Sequence, residues 1–149
     1  MFDDLKKKRR DAKLVTIQAK REEEKALAEL GQLQREQYEA LNPMVQEVLT
    51  QYNEAMGFGA NFEGCFFDPC RYYRKRTTKD RQLAEWCLIH PSRLSSQPYK
   101  AIVSLKCDEG GVPTHFKVYV YLEGTQSLET PNLSQESLIQ ALKQLSERS

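Results

Sequence analysis

The sequence predicts an α+β fold: a long N-terminal helix, a small antiparallel β-sheet of three to five strands covered on one face by helices, and a C-terminal helix. Three observations predict this fold. A proline-free run of helix-forming residues comes first, segments with alternating apolar residues follow, and a leucine stripe at helical spacing ends the chain. The length of 149 residues fits one globular domain with a helical extension.

The first helix is predicted over Asp11–Leu41, which contains one glycine and no proline. Its apolar residues fall on or near one heptad seam, formed by Ala12, Val15, Ala19, Ala26, Leu30 and Leu33. Because this seam is narrow and mostly alanine, we expect the helix to need a partner, which is another copy, another protein or its own domain. The basic run Lys6–Arg10 opposes the helix dipole, so we expect about the first ten residues to fray.

The dipeptide Asn42-Pro43 is typical of a helix start, with Asn as the N-cap and Pro as the first helical residue. The helix predicted from Pro43 to Met56 carries a core-facing stripe, and Gly57 follows it as a C-terminal cap. The junction is either a kink in one long helix or a tight turn between two helices. We therefore predict a helical arm over residues 1–41 and a globular domain over residues 42–149, and we expect the domain to fold without the arm.

Five segments after residue 60 have strand character, and two of them are the clearest: Tyr99–Cys107 and Thr114–Glu123. One register places all the apolar residues of these two strands on a single face, by pairing Leu105 with Phe116, Val103 with Val118 and Ala101 with Val120. The segment Gln82–His90 is apolar on both alternations, which favours a central strand, with a helix as the alternative. The two shorter predicted strands are Phe62–Asp68 and Arg71–Thr77.

The closing helix is predicted to begin at Ser134. Its apolar stripe at helical spacing consists of Leu138, Ala141, Leu142 and Leu145. Glu136 lies in the first turn, where a negative charge interacts favourably with the helix dipole.

The net charge of +1 conceals blocks of opposite sign. Residues 1–21 contain eight Lys or Arg and three Asp, whereas residues 22–63 contain nine Glu against Lys25 and Arg35. Residues 64–81 are basic again and hold tyrosines that could stack on bases or pack in an interface. We predict a partner-binding surface that comprises Arg71, Tyr72, Tyr73, Arg74, Lys75, Arg76, Tyr119 and Tyr121, together with Leu30 and Leu33 of the helix.

A zinc site could use Cys65, Cys70, Cys87 and His90, but the spacing disfavours it. Structural zinc sites usually contain tight Cys-x2-Cys pairs, and residues three apart in a strand point to opposite faces. Buried free thiols are the favoured interpretation of these cysteines and of Cys107. A cysteine–histidine catalytic pair lacks an acidic residue placed to orient His90 or His115. We therefore predict no metal, no cofactor and no enzymatic activity.

The function that this pattern favours is a non-enzymatic protein-interaction or assembly module. It would act through the N-terminal helix, as a coiled coil or oligomer, and through the basic-aromatic surface. The alternative is a nucleic-acid-binding accessory protein that uses Lys6–Lys13 and Arg71–Arg81. No apolar run is long enough for a membrane span, and no secretory h-region follows the basic start, so we expect a cytoplasmic protein.

Overall fold

The computed structural model describes residues 1–63, 82–92 and 98–148. One helix, α1, spans Asp3–Met56 and contains 54 residues, which corresponds to roughly 80 Å at about 1.5 Å per residue. Gly57 ends it in the left-handed conformation, with φ of 66°, a backbone angle that glycine adopts without steric cost. The second helix, α2, spans Gln135–Glu147. Ser134 is its N-cap, and the Ser134 side chain accepts a hydrogen bond from the Ser137 amide.

The sheet of the described residues has five strands in sequential antiparallel order, a meander. Its strands are β1 (Asn61–Glu63), β2 (Gln82–Ile89), β3 (Tyr99–Cys107), β4 (Pro113–Tyr121) and β5 (Thr125–Glu129). The β3–β4 pairing has the register that the sequence predicts, with Leu105 opposite Phe116, Val103 opposite Val118 and Ala101 opposite Val120.

Both helices lie on one face of this sheet and bury a single core. Residues 45–52 of α1 and the apolar stripe of α2 pack on the side chains that alternate toward them from β2, β3 and β4. The Tyr52 hydroxyl lies 2.6 Å from the Ser146 hydroxyl and links the end of α1 to α2. The alternation therefore places the core as predicted, because each apolar side chain on this face leaves water.

The strand predictions hold in part. The segment Gln82–His90 is a strand with neighbours on both sides, not the alternative helix. Of Phe62–Asp68, residues 62 and 63 lie in β1, and the rest of that segment and all of Arg71–Thr77 lie outside the described residues. The sequence analysis missed β5, because Thr125–Glu129 is polar except for Leu128, which packs against the core.

The Asn42-Pro43 dipeptide does not start a second helix, since α1 continues through Pro43. Of the two junctions considered, the single helix is the one observed, and the N-cap role expected for Asn42 is wrong. Its side-chain oxygen accepts hydrogen bonds from the Trp86 indole at 2.8 Å and from Gln46 at 2.9 Å. The helix also begins at Asp3, earlier than the predicted Asp11. Asp3 and Asp4 lie in its first turn. Their negative charges interact favourably with the helix dipole, whereas the positive charges of the basic run Lys6–Arg10 interact unfavourably with it.

We expect Val118→Asp to unfold the domain, because Val118 is 0% exposed and the new carboxylate would have no partner in the core. Tyr119→Asp changes the neighbouring, half-buried residue on the other face of β4, and we expect a loss of stability of about 1–2 kcal/mol. Thermal unfolding monitored by circular dichroism compares the two variants. Equal losses would show that the two faces of the sheet are equally buried.

Candidate interaction surfaces

Trp86 is the point at which α1 is fixed to the sheet. The indole is 0% exposed, and its ring stacks on Tyr38 with a centroid distance of 5.6 Å. The Phe116 ring packs edge-on against the indole, with a centroid distance of 6.3 Å. The indole N–H donates a hydrogen bond to Asn42. Aromatic pairs of this kind stabilise beyond the area they bury, and the hydrogen bond satisfies the one polar atom of the indole.

One turn before Tyr38, Gln34 attaches the helix to the turn between β3 and β4. Its side chain is 0% exposed, and its amide nitrogen donates to the Gly111 carbonyl at 2.7 Å. Gly111 has φ of 82° in this turn, a conformation that requires glycine. The residues Gln34, Tyr38 and Asn42 are spaced by four and therefore share one helix face. The helix face that carries the apolar stripe of residues 45–52 is thus extended toward the N-terminus by these three side chains.

Among the described residues, the helix makes no such contacts before residue 27. Every side chain from residue 1 to residue 26 is exposed, and this exposed part of α1, residues 3–26, is called the arm below. Large apolar side chains on it are open to solvent, among them Leu5 at 58% and Val15 at 64% exposure. Of the two helix residues predicted to bind a partner, Leu30 is half-buried next to the arm and Leu33 is 37% exposed. Within the part of the chain that the structure describes, the arm is thus a helix exposed on all sides.

The rest of the predicted partner-binding surface divides into two parts. The six consecutive residues of the basic segment, residues 71–76, lie outside the described residues. Tyr119 and Tyr121 both lie on the sheet face opposite the helices, and both are half-buried. The ammonium group of Lys117 lies 5.2 Å from the centre of the Tyr119 ring, and the Tyr99 and Tyr121 rings are 6.5 Å apart. The structure thus places the two predicted tyrosines on one aromatic surface.

This second face also carries acidic groups, which the sequence analysis did not include. Glu85 accepts hydrogen bonds from the Gln82 amide and, at 3.3 Å, from the Cys87 thiol. Glu129 is paired with Lys117 in the β-ladder, and its carboxylate lies 3.6 Å from His115. The described part of the face is therefore mixed in charge, with lysine and glutamate side by side. Besides these charged side chains it carries the aromatic rings of Tyr119 and Tyr121.

Burial perturbs two titratable groups on this face. Burial, followed by the charge of Lys117, lowers the pKa of Lys106 below 10.5. Burial, followed by repulsion from the Tyr119, Glu85, Cys87 and Tyr99 groups, raises the pKa of Tyr121 above 10.0. Both shifts favour the neutral form, because a charged group loses hydration when it is buried.

Of the residues considered for zinc, Cys87 and His90 are described and Cys65 and Cys70 are not. The Cys87 and Cys107 side chains are both buried. The His90 Nδ1 atom accepts a hydrogen bond from the Ser92 amide at 3.1 Å. Within residues 1–63, 82–92 and 98–148, no three His, Cys, Asp or Glu side chains are placed to hold one metal ion.

No protein-family model, curated protein or solved structure matches the chain. Over the part of the chain that the structure describes, neither helix is long and apolar enough to cross a lipid bilayer. The two candidate interaction surfaces of the described residues are the arm and the tyrosine-bearing face of the sheet.

The contacts of Gln34 and Tyr38 bear on the predicted domain boundary at residue 41, which stays a prediction. Deleting residues 1–28 removes no contact to the sheet described above, so we expect the free energy of unfolding to change by less than about 0.5 kcal/mol. Deleting residues 1–41 removes the Tyr38 ring and the Gln34 hydrogen bond, and we expect a loss of roughly 3 kcal/mol or more.

Urea unfolding monitored by the fluorescence of Trp86, the single tryptophan, compares the two truncations. Equal stability of both would place the boundary at residue 41 and show that the Tyr38–Trp86 stack contributes little.

Lys106→Met removes an ammonium group that the fold holds partly dehydrated beside Lys117. The pKa of Lys106 is lower in the folded state than the value of 10.5 in the unfolded chain. Between these two pKa values the unfolded chain binds more protons than the folded one, so the contribution of Lys106 to the free energy of unfolding rises with pH. We expect the variant to be more stable than wild type at neutral pH, with the difference shrinking as the pH approaches 10.5. A difference that grows with pH would contradict the assigned cause. Lys143→Met, on the exposed side of α2, is the control.

Proposed function

We propose that this protein is a non-enzymatic interaction module that assembles with a protein partner through its arm. The supporting observation is that every side chain of residues 1–26 is exposed while the same helix is firmly packed from Gln34 onward. A helix of this kind gains most of its stability from packing of its apolar face. A partner helix or groove supplies that packing, as in coiled coils and helix-in-groove complexes.

The packed half of α1 gives the arm a fixed origin and direction. Gln34, Tyr38 and Asn42 bind the turn and Trp86, so the helix leaves the domain from a rigid base. From Gln34 to its first residue, Asp3, the helix extends roughly 46 Å at about 1.5 Å per residue. A rigid, directed arm presents its side chains in one arrangement, which reduces the ordering entropy that binding costs.

We assign the tyrosine-bearing face a secondary role in the same assembly. Tyr119 and Tyr121 offer rings at a half-buried site, and tyrosine is enriched in protein interfaces because one side chain combines an apolar ring with a hydroxyl. Its mixture of Lys117, Glu85 and Glu129 suits a protein surface better than a polyanion, since the two glutamates would repel phosphates.

The nucleic-acid alternative has one specific observation in its favour, which is that the basic residues within Lys6–Lys13 are all exposed on the arm. Binding through them would neutralise phosphates and lose affinity steeply with salt. Titration with random single-stranded oligonucleotide at two salt concentrations separates the two functions. Micromolar binding that falls at least tenfold between about 50 and 200 mM salt would favour the alternative.

The test of the proposed function is site-specific photo-crosslinking in the source cells. A photoreactive amino acid replaces Val15 on the arm, which is 64% exposed, or Val112 in the β3–β4 turn, which is 38% exposed. We expect protein adducts from position 15 and few from the matched control at position 112. A third probe at Tyr119 tests the sheet face separately. Absence of arm-specific adducts, with the oligonucleotide titration negative, would contradict the proposal.

A further inference from the structure

We propose, building on the proposed function, that the arm's partner is the arm of a second copy of this chain, packed antiparallel. Two blocks of opposite charge cover the arm and the part of α1 that directly follows it. The eight Lys or Arg of residues 1–21 face three Asp in the same segment, whereas residues 22–41 hold six Glu against Lys25 and Arg35. Antiparallel packing lays the basic block of each copy along the acidic block of the other.

The heptad seam that the sequence analysis describes from Ala12 to Leu33 continues one heptad further toward the N-terminus, to Leu5. Leu5, Ala12, Ala19, Ala26 and Leu33 follow one another at intervals of seven without a gap. An interval of seven keeps these side chains on one stripe, and alanines in the middle let two helices approach closely, toward the lower end of the usual interaxial range of about 8–10 Å. The three alanines are exposed in the monomer, so the stripe is free to pack.

The positions three residues after this stripe select the orientation. They are Lys8, Val15, Glu22, Glu29 and Glu36. In a parallel, in-register coiled coil each would meet its own copy, so Lys8 would face lysine and all three glutamates would face glutamate inside the interface. Like charges in contact are destabilising. Antiparallel packing instead brings Lys8 toward the acidic half of the second helix, where Glu29 lies.

Self-association also accounts for the sign of both blocks at once. A polyanion such as nucleic acid would attract the basic block and be repelled by the acidic block that directly continues it along the helix. A second copy matches both blocks, and a symmetric contact of this kind closes after two chains because it is isologous. The charge order along the arm therefore favours another copy of the chain over a uniformly acidic or basic partner.

The test uses two exposed alanines of α1, one at the end of the arm and one two residues beyond it. Ala26→Glu places a carboxylate on the stripe, and Ala28→Glu makes the same change about 200° around the helix. Neither touches the core, so both full-length variants should keep the wild-type melting temperature. Sedimentation velocity over a concentration series in reducing buffer measures the dimer dissociation constant for each at about 50 and 500 mM salt.

We expect a wild-type dimer that weakens at higher salt, because screening removes the attraction between the blocks. Ala26→Glu should raise the dissociation constant roughly tenfold or more, since each dimer then buries two carboxylates, and Ala28→Glu should change it less than about twofold. A dimer that strengthens with salt would overturn the antiparallel orientation. Equal effects of the two variants would overturn the stripe as the interface.

A monomer at all concentrations would overturn self-association and leave the proposed function intact if Val15 crosslinks a different protein in cells. A monomer without arm-specific adducts would contradict both. The crosslinked product itself separates the cases, because self-association predicts an adduct with twice the mass of the chain.

Discussion

The fold depends on the attachment of α1 to the sheet at Trp86. This buried indole touches an aromatic ring from the helix and another from β4, and its one polar atom is satisfied by Asn42. Because the helix carries two of these contacts one turn apart, its direction across the sheet is fixed there. The apolar stripe from Val45 to Tyr52, which follows Asn42 along the helix, packs on the core, whereas the side chains of residues 1–26 are all exposed.

The two parts of α1 are therefore stabilised by different interactions. From residue 34 onward its stability comes from burial against the sheet and α2, whereas over residues 3–26, where every side chain is exposed, it depends on local hydrogen bonds and helix propensity. Pro43 does not separate the two parts, since α1 continues through it. The functional proposal follows from this division, because an exposed helix attached to a rigid base is suited to binding a partner.

The sequence predicts the β3–β4 register because alternating valines have only one arrangement that buries them all, whereas β5 carries a single apolar residue, Leu128. It predicts the junction at Asn42 poorly, because a local capping preference is outweighed by the tertiary hydrogen bond to Trp86. The anchoring residues Gln34 and Tyr38 were missed because neither belongs to an apolar stripe. Their spacing of four, together with Asn42, is the signal that could have revealed them.

The central claim is that α1 has an anchored part and a part whose order depends on a partner. Amide hydrogen exchange followed by mass spectrometry, at low and high protein concentration, tests this claim most directly. We predict strong protection over residues 34–56 at both concentrations, and weak protection over residues 3–26 that increases with concentration or with added partner. Equally strong protection along the whole helix in the dilute monomer would contradict the account.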